Sequence, residues 1–186
     1  VPVIMRGFSL LEVLISMAIS SVLLLGASRF LPALQRGILQ QTRQQALDDE
    51  VWQRLYTVAK HLQRAGYCYG ECQGEALELA QQGQCVIIRW DANSDGIWQA
   101  SPMTDADSIG FRLQKGVLET LRGASSCEGK GWDKMTDPAT VTITHFQVTR
   151  QNSAGFPPEL TVALSASGIH GAGNVNALYS VTGYNL

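Results

Sequence analysis

One segment near the start limits what this chain can become. From Val13 to Ser28 there is no charged side chain, and between Phe8 and Leu34 the only charges are Glu12 and Arg29. An apolar stretch of about 20 residues is long enough to cross a bilayer as a helix. It is preceded by Val1-Pro-Val-Ile-Met-Arg-Gly7 and then Phe8-Ser-Leu-Leu-Glu12. A lone carboxylate at the start of a lipid-embedded helix costs on the order of a few kcal/mol, so a cationic partner is expected. Cleavage after Gly7 would supply one, because Phe8 would then carry a free ammonium. A helix start cannot easily fold back on itself, so the ammonium that meets Glu12 belongs to another copy or another subunit.

The simpler readings of this start fit less well. A secretory signal places its small-residue cleavage site after the apolar core. Here the glycine precedes the core, and Arg6 is the only basic residue before it. A plain signal anchor with an incidental Glu12 is the remaining simple alternative. A buried helix of a soluble domain does not need so long and so uniform a run. The chain opens on Val1 where an initiating methionine is expected, which a start codon read literally or missing residues would both explain.

Gly7-Phe8-Ser9-Leu10-Leu11-Glu12-Val13 and the run behind it resemble the class III signal of type IV pilins and type II secretion pseudopilins. That resemblance implies a prepilin peptidase that cuts after Gly7 and methylates Phe8, and an assembly role for Glu12 opposite the methylated amine of a neighbour. Four further pieces are similar to the J-like minor pilins of this family: Arg64-Ala-Gly-Tyr-Cys68, the stretch from Trp90 to Trp98, the stretch from Cys127 to Asp133, and Tyr179 to Leu186. The implied organisation is a leader over 1–7, a hydrophobic transmembrane and filament-core helix over 8–36, and a periplasmic pilin head over 37–186. The implied partners are other minor pilins, a major pilin, the prepilin peptidase, the inner-membrane assembly platform and inner-membrane lipid. The implied location is a single pass through the inner membrane, and a cell-surface pilus after assembly.

The helix should not end at the membrane. Leu47, Val51, Leu55, Val58 and Leu62 recur at helical spacing and mark one apolar face. Gly66 is a natural stop, so the helix is predicted from about Ser9 to Ala65, with Pro32 bending or loosening its middle. Beyond Gly66 the pattern turns to period two. Strands are predicted at 76–80, 85–90, 108–113, 116–121, 141–150, 160–167 and 177–182, forming an antiparallel sheet against the amphipathic half of the helix. The expected class is therefore α+β, in the pilin manner.

Four cysteines, Cys68, Cys72, Cys85 and Cys127, all lie beyond the apolar run. A head outside the inner membrane is in an oxidising compartment, so two disulfides are expected. The spacing does not repeat the paired pattern of a zinc ribbon. A hairpin around residues 81–84 puts Cys85 beside the turn and Cys72 about 20 Å away beyond the far strand end, too far for a bond that needs Cα atoms within about 7 Å. Cys72–Cys85 is thereby disfavoured, and the reading leans to Cys68–Cys72 with Cys85–Cys127.

For chemistry, Asp91-Ala-Asn93-Ser-Asp95-Gly96 matches the first half of a calcium-binding EF-hand loop. Its side-chain ligands would be Asp91, Asn93 and Asp95, with the Ile97 carbonyl and a carboxylate from Asp105 or Asp107. The twelfth position is Pro102 in place of the bidentate glutamate. The alternative is a metal-free tip between Trp90 and Trp98, where Asn, Asp and Gly serve the turn. Around Gly129-Lys130-Gly131 a P-loop fails, because Gly123 is misplaced by one residue and Gly131 stands where Ser or Thr must follow the lysine. His61, His145 and His170 show no ligand spacing, and His61 is expected at the surface or rim of the helix. No nucleophile elbow or acid–base pair is marked, and the net charge of −2 with scattered cations gives no nucleic-acid patch. The reading is a minor type IV pilin that is not an enzyme. A J-type secretion pseudopilin is the nearest alternative, and a signal-anchored periplasmic enzyme or binding module that never polymerises is the rival of another class.

Overall fold

The computed structural model describes residues 9–99, 106–169 and 171–186. One helix, α1 (Leu10–Arg64), is followed by eight strands: β1 (Leu77–Ala80), β2 (Cys85–Arg89), β3 (Ser108–Gln114), β4 (Val117–Arg122), β5 (Asp133–Lys134), β6 (Val141–Ser153), β7 (Phe156–Gly168) and β8 (Asn174–Thr182). The class is α+β, as expected. The chain divides into two units, residues 1–42 and 43–186.

In the first unit the described residues are helical from Leu10 onward. The carbonyl of Ser9 accepts the amides of Glu12 and Val13, which closes the first turn. The apolar side chains of this half, Leu10 through Leu39, are exposed. Its hydroxyls turn back on the helix: Ser16 donates to the Glu12 carbonyl, Ser21 to Met17 and Ser28 to Leu25. These three hydroxyls are thus satisfied locally, which is what a lipid environment demands. The helix continues through Pro32.

In the second unit the predicted stripe is buried. Leu47, Val51, Leu55, Val58 and Leu62 are at most 5% exposed, and Ala59 and Ala65 join them. Full burial of such a side chain is worth about 1.5–3 kcal/mol, against about 0.3–0.5 for the half-exposed i,i+4 pair Arg54–Glu50. Packing, not surface charge, therefore holds this half of α1 in place. The helix stops where foreseen: Gly66 has φ +85°, and a Cβ there would lie 2.1 Å from the Asn185 carbonyl oxygen. Its amide donates instead to the Arg89 carbonyl.

Where the sequence suggests one sheet, the strands form two. β1 to β5 make a five-stranded sheet in chain order, and β6, β7 and β8 a three-stranded one. All pairs are antiparallel. Alternation along a strand gives its faces but not its neighbours, so the division was not readable. The stripe of α1 packs on both sheets, against Val86, Ile88, Phe111 and Leu118 of the first and Phe146, Leu160, Val162, Leu164 and Val181 of the second. The Ile143 amide donates to the Gly116 carbonyl at 2.8 Å and ties the β3–β4 turn to β6.

Three strands run at least three residues longer than predicted: β8, which begins at Asn174, and the pair β6 and β7. Residues 155–158 read as a break, but Ser153 pairs with Phe156 across a two-residue turn, so β6 and β7 extend into it. Pro157 and Pro158 are tolerated because they open β7 beyond the pairing of β7 with β8, which begins at Glu159, and beside a register shift in β6. β5 has two residues and no periodicity to betray it. On the far side of the first sheet a smaller core gathers Cys85, Ile87, Ala124 and Cys127 with Trp132 and Leu121.

Candidate functional site

Glu12 stands in the first turn of α1 and is exposed. Among the described residues no cation lies within ion-pair distance of its carboxylate. The positive end of the helix dipole favours a carboxylate there by about 0.3–1 kcal/mol. That is less than the few kcal/mol that a carboxylate costs in lipid. Gly7 and Phe8 lie outside the described residues.

The second candidate is the loop after β2. It is not the tip of a hairpin: β2 pairs with β3, and residues 90–107 form the long connection between them. Asp91 is buried, and its carboxylate accepts the amides of Tyr69 at 3.0 Å, Gly96 at 2.9 Å and Asp95 at 3.1 Å. Burial alone would raise this carboxyl's pKa, but the amides of Tyr69, Gly96, Asp95 and Ser94 together hold it below the usual carboxylate range. Asp107, also buried, accepts the amides of Ala92 and Gln99, both at 2.9 Å. Asp95 accepts the Ile97 amide and the side-chain amide of Asn93, and the Asn93 carbonyl oxygen accepts the Asp95 amide. Gly96 adopts φ +87° to bring these amides inward.

The chain brings three of the predicted ligands together. One carboxylate oxygen each from Asp91, Asp95 and Asp107 lies within 4.8 Å of the others. Three hard oxygen donors suit calcium in kind. Asn93 is turned to the Asp95 amide, and Asp105 lies outside the described residues. The arrangement also works without a cation, as a set of carboxylates that orders a long loop by collecting its amides.

A disulfide between Cys68 and Cys72 closes a short loop in the neighbouring segment, where Gly70 and Gly96 meet so closely that a Cβ on Gly70 would lie 2.9 Å from the Gly96 Cα. With Asp91 these two sulfurs form a possible metal cluster by distance, but in a disulfide they are not thiolate ligands. The second disulfide joins Cys85 to Cys127. Tyr67 anchors the loop from the helix end, its carbonyl accepting the Asp91 amide and the Trp98 indole.

His61 lies at the rim of the helix, as its position suggests, and the sheet side covers part of it. It is half-buried, with ring centroids 5.2 Å from Trp90 and 5.6 Å from Phe111. Burial first, then the charges of Arg64 and Lys60, push its pKa down to about 4. Its Nδ1 is buried without a hydrogen-bond partner among the described residues.

Two family models match this chain. The one described as the prokaryotic N-terminal methylation motif covers residues 5–28, and the one described as prepilin peptidase-dependent protein B covers residues 40–181. The chain is 64% identical to prepilin peptidase-dependent protein B of Escherichia coli (strain K12), over 186 residues and the full length of both chains. No solved structure matches it.

Proposed function

The chain belongs to the prepilin peptidase-dependent protein B family, a pilin-like family of the type IV and type II secretion kind, and from that premise we propose that it is a minor type IV pilin. One observation carries the reading: an apolar helix half, exposed throughout, opens on Glu12 with no cation beside it among the described residues. Such a helix is at rest in lipid or among its own kind. A prepilin peptidase cuts after Gly7, Phe8 is methylated, and the subunit waits in the inner membrane with its head in the periplasm. Two disulfides suit that compartment. Assembly then moves the helix into a filament, where Glu12 meets the terminal amine of a neighbour. Contacts of this head-to-tail kind do not close and so build filaments. The J-like character of the head favours a place in an initiating or tip complex with other minor pilins, on the assembly platform and ahead of the major pilin. The chain is then a structural subunit and not an enzyme.

Mass spectrometry of the native protein tests the first step, and the mature chain should begin at a methylated Phe8. Gly7→Ala should leave processing largely intact, and a bulky or charged residue there should block it. An intact leader, or cleavage after the apolar run, would favour a signal-anchored protein that never polymerises. Glu12→Ala should still enter the membrane but fail to enter filaments in competition with wild type. Deleting the gene and counting pili separates the two filament readings. Loss of protein secretion with pili intact would make the chain a J-type pseudopilin.

A further inference from the structure

The two disulfides stand in opposite settings. Cys85 is fully buried and Cys127 is 8% exposed, inside the small core that Ile87 and Ala124 share. Cys85 also lies in β2, which is paired on both sides, with β1 and with β3. A thiol reaches that bond only when the sheet opens. Cys68 and Cys72 lie between α1 and β1, outside any helix or strand, and both are half-buried. Their bond can be met by a thiol while the sheets stay closed.

The two sulfurs of the half-buried bond also differ. Cys68 Sγ accepts the amide of Gly70 at 3.3 Å and the amide of Cys72 at 3.1 Å. Cys72 Sγ accepts no hydrogen bond among the described residues. Backbone N–H groups aimed at a sulfur stabilise its thiolate over its thiol and so lower its pKa. The Asp91 carboxylate comes within 4.8 Å of both sulfurs, and its charge opposes a thiolate at either. Asp91 therefore does not choose between them, and the amides choose Cys68. Exchange favours departure of the sulfur with the lower thiol pKa.

We propose that Cys68–Cys72 is a thiol–disulfide exchange site for a dithiol partner, attacked at Cys72 with Cys68 as the leaving sulfur. One thiolate of the partner bonds to Cys72 Sγ, the Cys68–Cys72 bond breaks, and its electron pair leaves on Cys68 as a thiolate. The partner's second thiolate then attacks the partner's own sulfur in this mixed disulfide and releases Cys72. The partner loses two electrons and becomes a disulfide. Cys68 and Cys72 gain those electrons and take up the two protons that the dithiol gives up. The same steps in reverse close the bond. A partner with a single thiol stalls at the mixed disulfide, because Cys68, only four residues from Cys72, attacks back and expels it. The second thiol of a dithiol carries the exchange through.

The test uses the full folded chain in detergent, without denaturant. Dithiothreitol is the dithiol probe and reduced glutathione the monothiol probe, each followed by rapid alkylation and mass mapping. Dithiothreitol should open Cys68–Cys72 at least tenfold faster than Cys85–Cys127. Glutathione should be found on Cys72, with the alkylating group on Cys68. Two variants keep the Cys85–Cys127 bond: Cys72→Ala leaves Cys68 as a lone thiol, and Cys68→Ala leaves Cys72. The lone Cys68 should be alkylated at least threefold faster at pH 7. It should also reach half its maximal rate at a lower pH, which a difference in access alone would not produce. Glutathione chiefly on Cys68 or on both sulfurs alike, or equal pH midpoints for the two lone thiols, overturns Cys68 as the leaving sulfur. Opening of both disulfides together, or of neither without denaturant, overturns the exchange site itself.

Discussion

The guanidinium carbon of Arg112 lies 4.2 Å from the centre of the Trp132 ring. The same side chain reaches Glu119 at 2.8 Å and the Cys127 carbonyl at 2.8 Å. Both charged side chains are mostly shielded, at 12% and 14% exposure. Arg112 thus clamps the segment after β4 onto the first sheet, beside the Cys85–Cys127 disulfide. Arg112→Ala should cost about 2–4 kcal/mol, because it strands the shielded Glu119 as well as removing the stacking. Arg112→Lys should recover only part of that, since an ammonium has neither the plane nor the fork of a guanidinium. Denaturant unfolding of the full chain in detergent gives the difference. A loss under about 0.5 kcal/mol for the alanine variant would show that the clamp adds nothing beyond the disulfide.

The two disulfides should differ in worth. Cys85–Cys127 spans 42 residues of chain and Cys68–Cys72 only 4. On the loop-entropy account the longer loop contributes about 4 kcal/mol and the shorter about 2. The double replacement Cys85→Ala with Cys127→Ala should therefore lower the melting temperature clearly more than Cys68→Ala with Cys72→Ala. The short loop has a second expected readout, faster amide exchange at Gly96 and Asp95, because it presses Gly70 on that loop. Equal melting shifts for both pairs would contradict the loop-length argument.

Much of this architecture is written in periodicity. The spacing of Leu47, Val51, Leu55, Val58 and Leu62 gives the buried face of α1 directly, and Gly66 gives its end. Gln114-Lys115-Gly116 reads as a short hairpin turn; in the structure Gln114 ends β3, and Lys115 and Gly116 have the positive φ that the turn requires. What was hidden depends on contacts between distant segments. Pro157 and Pro158 look like breakers until the register shows that they sit at the mouth of β7. His61 reads as a surface or rim residue, and only the structure shows that Trp90, just after β2, and Phe111 of β3 meet its ring. Arg112 carries no local mark of its role, since Glu119 and Trp132 reach it only after β4 turns back. Of the loop ligands, Asp107 is separated from Asp91 by the whole β2–β3 connection, and only the structure shows it collecting the amides of Ala92 and Gln99.

His61 should make the fold sensitive to mild acid. Its pKa is lowered from 6.5 to about 4 in the folded chain, so the folded state resists protonation that the unfolded state accepts. Between those values the unfolded chain binds more protons, and stability falls as pH drops from about 6.5 towards 4 and is flat above that range. The full shift corresponds to about 3 kcal/mol, and the half-buried setting reduces this to about 1–2. His61→Phe keeps a ring between Trp90 and Phe111 and cannot titrate. Its stability should be nearly level from pH 7 to 5, where the wild type declines. Parallel declines of the two proteins across that range would exclude His61 as the cause.

The loop of Asp91, Asp95 and Asp107 separates two readings by one measurement. If calcium occupies it, the ion meets three carboxylates already oriented by backbone amides, with the Ile97 carbonyl as a further ligand, but without the bidentate glutamate that Pro102 replaces. Affinity should then be of the weak extracellular order, around 10⁻⁴–10⁻³ M. Binding only the folded loop, millimolar calcium would raise the melting temperature, and chelator would reverse it. Asp95→Ala would abolish that rise at small cost to the apo fold, because Asp95 is exposed and accepts little beyond the Ile97 amide and the Asn93 and Gln99 side chains. Asp91→Ala should instead destabilise the chain with or without calcium, because it leaves the amides of Tyr69 and Gly96 without their acceptor. Titration calorimetry silent to calcium, with an unmoved melting temperature and the Asp91→Ala loss intact, would assign these carboxylates to ordering the loop alone.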